Sequence, residues 1–144
     1  MPQPNEPYSN DEEVLGVVRS FESCELPPAD FNHREHLLVA LCYLLRLSDA
    51  SALARLRERI GRYVAAHGIN PSLYHETITV FWMKRVRAYL VREGAGRGLA
   101  DLVNGLAAES GSSRLIFDYY SKGLIDSERA RREWVEPDLR PLDF

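Results

Sequence analysis

The side chains in this sequence best suited to chemistry are histidines, and they fall in two short segments. His33 and His36 are three residues apart in FNHREHL, residues 31–37, and His75 stands beside Glu76 in YHETIT, residues 74–79. Imidazole exchanges protons near neutral pH and is a common metal ligand. The segments therefore indicate acid–base chemistry, metal binding or recognition of a ligand.

Both segments are expected near the start of a helix. Asn32 is a suitable N-cap, with Glu35 at the spacing of a capping box. Phe31 and His36 hold the positions of a hydrophobic staple across that helix start. Asn70 followed by proline predicts another helix start, and that helix would continue to about residue 93. Because short connections make successive helices antiparallel, the two starts should share one pole of a bundle.

A site at this pole is predicted to contain three catalytic residues, His36, His75 and Glu76. On the second of these helices, His75 would share an inward face with Thr79 and Trp82. Substrate contacts are predicted from His33, Arg34, Thr79 and Trp82. Zinc or iron is a candidate cofactor with His36 and His75 as ligands, although catalytic sites usually supply three. HExxH, P-loop and GxSxG patterns do not occur.

Each of these residues also has a structural interpretation. His33 would serve as a partly exposed group in the first helical turn, and His67, which precedes Gly68, would stabilise a helix C-terminus. Glu76 would form an ion pair with Arg34 or Arg114 of a neighbouring helix. A metal-free pocket and a purely structural cluster are thus alternatives to a metal site.

The elements that must position these residues are helices. We predict an all-α, antiparallel bundle of five to six helices. The expected helices are residues 11–23, a helix after Asn32, and residues 50–67, 70–93, 99–109 and 113–121, with a last short helix at 126–134. The second helix is apolar on all sides between Leu37 and Leu45, as expected of a central helix. A flexible arm is predicted at 1–9, followed by one helical domain, 10–144, whose tail lies extended across the bundle.

Composition limits the classes of partner. The 144 residues carry a net charge of −3 and are 45% hydrophobic, which fits a globular domain and disfavours nucleic-acid binding. No apolar run reaches the length of a membrane span, and the polar N-terminus does not resemble a signal peptide. The chain is therefore expected in the cytoplasm, without a membrane partner and with its two cysteines reduced.

The two histidine segments, together with DYYS at 118–121 and ARREW at 130–134, resemble a small family of bacterial helical proteins. The resemblance covers most of residues 30–142 and implies that the two segments belong to one site. It implies no particular reaction. From the sequence, the leading hypothesis is a small-molecule pocket or enzyme at the histidine pole, and the alternative is an interaction module or homodimer with structural histidines.

Overall fold

The computed structural model describes residues 2–144, and within this range the chain is helical without any β-strand. The α-helices are α1 Asp11–Glu22, α2 His33–Arg46, α3 Asp49–Ala66, α4 Glu76–Glu93, α5 Leu99–Ser110, α6 Lys122–Ile125 and α7 Glu128–Arg132. Short 3-10 helices occupy Pro28–Asp30, Pro71–Leu73 and Ser113–Asp118. The prediction of an all-α bundle is confirmed.

Helix α2 is the central element. Every residue from 37 to 44 is buried, and the helix packs against α1, α3, α4 and α5. A helix with no polar face reaches a stable environment only when neighbours cover it on all sides. The central position predicted for α2 is confirmed.

Cys24 and Cys42 are both free thiols, in agreement with the prediction that the two cysteines are reduced. Across the described part of the chain, no helix combines the length and the apolar character needed to cross a membrane.

A buried carboxylate fixes the start of α2. Glu35 is only 3% exposed, and its Oε1 accepts the Asn32 backbone N–H at 3.2 Å, as the capping-box spacing predicts. Its Oε2 accepts from Arg34 Nε at 2.8 Å and from the Tyr8 hydroxyl at 3.1 Å. A carboxylate removed from water needs such donors, so these contacts are what make the burial of Glu35 tolerable.

The end of the predicted flexible arm is fixed in place. Tyr8 is 3% exposed, and it exchanges two hydrogen bonds of 2.9 Å with the side-chain amide of Asn104 in α5. Its hydroxyl reaches Glu35, so this residue joins α5 to the start of α2. The prediction of a flexible arm is therefore wrong for Tyr8, because Asn104 holds its backbone and its buried ring places the hydroxyl on Glu35. Met1, which the prediction also included, lies outside the described residues.

Helix α4 begins later than the sequence predicts. Asn70 caps only the short turn Pro71–Leu73, and the chain is extended at Tyr74 and His75 before α4 starts at Glu76. His75 is the N-cap: its Nδ1 accepts the Ile78 N–H at 3.2 Å, and its Nε2 donates to the Ile125 carbonyl at 2.7 Å. The prediction that His75 lies on the inward face of a helix is wrong, because its ring closes the helix end instead.

The C-terminal third contains less α-helix than predicted. The segment expected as a helix at 113–121 is the 3-10 helix Ser113–Asp118. The helix expected at 126–134 is reduced to α7, Glu128–Arg132, and is preceded by the short helix α6. Beyond them the tail lies across α4 without helical structure. The Thr77 hydroxyl donates to the Glu133 carbonyl at 2.7 Å, and the rings of Phe81 and Phe144 are 5.5 Å apart.

The N-cap role of His75 can be tested by substitution. His75→Ala should lower the free energy of unfolding by about 1–2 kcal/mol, because the Ile78 N–H and the Ile125 carbonyl both lose a partner. His75→Asn keeps a side-chain acceptor at the N-cap and should lose less. Urea unfolding followed by circular dichroism measures both. Equal stability of His75→Ala and the wild type would contradict the assignment.

The docking of Tyr8 gives a second test. Tyr8→Phe keeps the ring but removes a donor from buried Glu35, so the free energy of unfolding should fall by about 1–2 kcal/mol. Gln3→Ala, an exposed position in the same segment, is the matched control and should behave as the wild type. If Tyr8→Phe and Gln3→Ala unfold at the same urea concentration, the hydroxyl does not support Glu35.

Candidate ligand-binding cavity

A cavity of about 460 Å³ opens beside the start of α2. Its walls come from the first turns of α2, the middle of α3, the first half of α4 and the 3-10 helix Ser113–Asp118. The lining residues are Phe31, Asn32, His33, His36, Leu37, Ala40, Leu56, Ile60, Ile78, Thr79, Trp82, Met83, Ser113, Ile116 and Phe117. Cavities of 300–1,000 Å³ are the usual size for small-molecule sites.

The structure brings four of the predicted site residues to this cavity. His33, His36, Thr79 and Trp82 line it, whereas His75, Glu76 and Arg34 do not. The shared pole predicted for the starts of α2 and α4 is therefore present in part. Of the three residues that do not line the cavity, His75 is engaged at the end of α4, and Glu76 and Arg34 bind other residues.

His36 is part of an aromatic stack at the mouth of the cavity. Its ring lies 3.9 Å from that of Phe31, nearly parallel, and Phe31 stacks in turn on Phe21 at 4.7 Å. The side chain remains exposed, so it is accessible to a ligand. Desolvation by the surrounding protein lowers the pKa of His36, and the neighbouring His33 acts in the same direction. Water still reaches the ring, so this desolvation is partial. Because its pKa is lowered, the imidazole is neutral at pH 7.

His33 is held by a backbone contact. Its Nε2 lies 3.0 Å from the Ser110 carbonyl, which can only accept, so Nε2 carries the proton. The ring meets Trp82 edge-on at 4.4 Å. Burial lowers the pKa of His33, although the Ser110 carbonyl and the Glu35 carboxylate oppose this shift. In the neutral form with a proton on Nε2, the Nδ1 atom keeps a lone pair and is a hydrogen-bond acceptor.

The remaining lining is uncharged and mostly apolar. Among the described residues that form the walls, none is Asp, Glu, Lys or Arg. The Thr79 hydroxyl donates to the His75 carbonyl at 2.9 Å, which leaves its oxygen able to accept. Two neutral imidazoles and a few hydroxyl and amide groups thus supply the polarity of an otherwise hydrophobic cavity. Such a lining favours neutral over charged ligands.

Glu76 forms an ion pair with Arg57. Arg57 of α3 binds both of its carboxylate oxygens, with Nε at 3.0 Å from Oε1, and the Tyr74 hydroxyl donates to Oε1 at 2.7 Å. Burial alone would raise the pKa of Glu76, but Arg57 and Tyr74 hold it below its usual value. The partner is thus Arg57 rather than the predicted Arg34 or Arg114. A carboxylate held ionised in this way is a poor proton donor to any site.

Two other predicted residues serve structural roles. Arg34 donates to Glu35 and to the Glu6 carbonyl and lies over the Tyr8 ring, so it fixes the N-terminal segment rather than a ligand. His67 ends α3, and its ring contacts the Cys24 carbonyl at 2.9 Å. The structural interpretation of His67, as a residue that stabilises a helix C-terminus, is consistent with this position.

The described side chains do not assemble a metal site. Within residues 2–144, no group of three His, Cys, Asp or Glu residues is arranged to hold an ion. Both ring nitrogens of His75 are already hydrogen-bonded. The arrangement therefore gives no support to metal ligation by His36 and His75.

The wall formed by Ser113, Ile116 and Phe117 was not anticipated as part of the site. These residues are about 80 positions from His33 along the chain, and no local pattern links the two segments. The sequence offered one indirect signal, since Ser112 and Ser113 follow a glycine and so mark a turn that must bring the chain back over the bundle. Met83, one turn beyond Thr79, could have been inferred from helical spacing.

Comparison of the chain with known protein families, with curated proteins and with solved structures finds no match. The geometry of the cavity is therefore the basis for assigning a function.

Proposed function

We propose that this protein binds a small, uncharged, largely apolar ring compound that carries one hydroxyl group. The observation that carries the proposal is the composition of the cavity wall, which combines aromatic and aliphatic side chains with two neutral imidazoles and no charged residue. The volume of about 460 Å³ suits a ligand of one or two rings.

Hydrogen bonding in the cavity favours a hydroxyl donor. Because Nε2 of His33 is used by the Ser110 carbonyl, the free position on that ring accepts rather than donates. The ring of His36 is a second neutral imidazole whose nitrogens could bind the ligand. Its stacking on Phe31 holds it at the mouth of the cavity. The apolar walls would bury the ring of the ligand, and one imidazole would orient its hydroxyl group.

The arrangement of side chains in the cavity favours binding of a ligand over a chemical reaction. The carboxylate expected to assist a catalytic histidine is paired with Arg57, away from the cavity. A neutral histidine without a carboxylate or metal neighbour can still recognise a hydroxyl group. The homodimer or interaction module considered from the sequence, and a cytoplasmic location, remain predictions.

Three compounds of nearly equal shape test the proposal: 4-propylphenol, propylbenzene and 4-propylbenzoate. At pH 7 the phenol should bind most tightly, about two- to tenfold better than propylbenzene, because one neutral hydrogen bond separates them. The benzoate should bind most weakly, since no cation lines the cavity. Isothermal titration calorimetry measures all three.

Variants locate that binding in the cavity. His36→Phe preserves the stacked ring but removes its nitrogens, so it should reduce the preference for the phenol. Ala40→Phe should fill the cavity and weaken binding of both neutral compounds, whereas His67→Phe, outside the cavity, should change neither. Failure of all three compounds to bind, or tightest binding of the benzoate, would contradict the proposed ligand class.

The lowered pKa values of the cavity histidines predict a pH dependence of stability. In the unfolded chain these residues take up protons near their ordinary pKa of 6.5, whereas the folded state resists protonation. Stability should therefore be greatest above pH 6.5 and fall as pH is lowered towards the folded-state pKa values. Between pH 7.5 and 5.5, the wild type should lose more stability than His33→Phe or His36→Phe. Equal losses in all three, measured by urea unfolding, would contradict the assignment.

A further inference from the structure

A second cleft lies on the other side of the start of α4. It has a volume of about 620 Å³ and is formed by α3, the turn that contains Pro71 and Ser72, the residues at the start of α4, and α7. Its charged and hydroxyl-bearing wall residues are Arg57, Ser72, Tyr74, Glu76, Glu128, Arg131 and Arg132. None of these residues lines the histidine cavity, so this is a distinct surface.

The charges in this cleft do not balance. Arg57 is neutralised by Glu76, and Arg132 lies 3.3 Å from Glu128. Arg131 has no carboxylate within ion-pair distance among residues 2–144, and its Nε atom is buried without a hydrogen-bond partner. One positive charge is thus left over on a partly buried guanidinium.

We propose that this cleft binds an oxyanion, either a carboxylate or a phosphate group, with Arg131 as the principal cation. Arg131 lines the cleft and has no carboxylate partner among the described residues, so its charge is available to an anion there. A guanidinium pairs with carboxylate and phosphate oxygens through two parallel hydrogen bonds. Arg132 and the Ser72 hydroxyl, on the same walls, are additional donors.

The Arg57–Glu76 pair makes the cleft more favourable to an anion. Without Arg57, the Glu76 carboxylate would repel a negative ligand across the cleft. With both of its oxygens bound to Arg57, its charge is compensated and its position fixed by the Tyr74 hydroxyl. Glu128, which is exposed and pairs with Arg132 alone, is then the carboxylate that competes with an incoming anion.

Titration of the ¹⁵N-labelled protein with sodium phosphate and, separately, with sodium acetate tests the proposal. Sodium chloride at equal ionic strength is the control for screening. We expect saturable amide shifts confined to residues 71–76 and 128–132 with at least one of the two anions, and the stronger of them identifies the chemical group. The absence of saturable shifts with both anions would overturn the proposal.

Paired variants separate binding at this cleft from a general effect of charge. Arg131→Gln should weaken binding at least fivefold, whereas Arg129→Gln, an exposed position on the same helix that pairs with Glu133, should leave it unchanged. Equal weakening by both would mean that only net charge matters and would overturn the proposal.

A gain of binding gives a test that loss of structure cannot imitate. Glu128→Gln removes the carboxylate that competes for Arg132, so binding should tighten by roughly two- to fivefold, the range expected for one exposed ion pair. Glu133→Gln removes an equal charge from the same region but frees Arg129, which does not line the cleft, and should have no such effect. Equal tightening in both variants, or none in Glu128→Gln, would also overturn the proposal.

Discussion

Burial of α2 on all sides is the constraint on which the rest of the structure depends. Between residues 37 and 44 the helix exposes no face, so four other helices must be arranged around it. The same burial extends to Glu35 in its first turn, and a carboxylate there needs several donors at once. Those donors come from the helix start itself, from Arg34 and from Tyr8, which ties the N-terminal segment to the bundle.

The candidate site arises where this central helix reaches the edge of the core. His33 and His36 lie in the first turn and just beyond it, where packing from α1 and α5 gives way to an opening between α3 and α4. Their rings are supported by neighbours that are themselves fixed, Phe31 in one case and the Ser110 carbonyl in the other. The cavity thus combines rigid walls with two polar groups, an arrangement suited to recognition.

Much of the fold could be predicted from sequence because its signals are local. The capping-box spacing of Asn32 and Glu35 located the start of α2, and unbroken apolar character identified it as central. The start of α4 could not be located in this way, since Asn70-Pro71 is an equally good signal for a short turn, and only the distant Ile125 carbonyl explains why His75 serves as the cap. Four of the residues predicted for the site, His33, His36, Thr79 and Trp82, line one cavity. The pairing of Glu76 with Arg57 could not be predicted, because it depends on side-chain packing between helices.

The contact between Tyr8 and Asn104 also sets an order of events during synthesis. The two residues are 96 positions apart, so the ribosome completes α1 to α4 before the partner of Tyr8 exists. At ordinary translation rates this interval lasts about 5–20 s, which is long compared with helix formation. During that time the Tyr8 backbone has no side-chain amide of α5 to bind. The N-terminal segment therefore closes over the bundle as a late step, after the helices that it joins have been made.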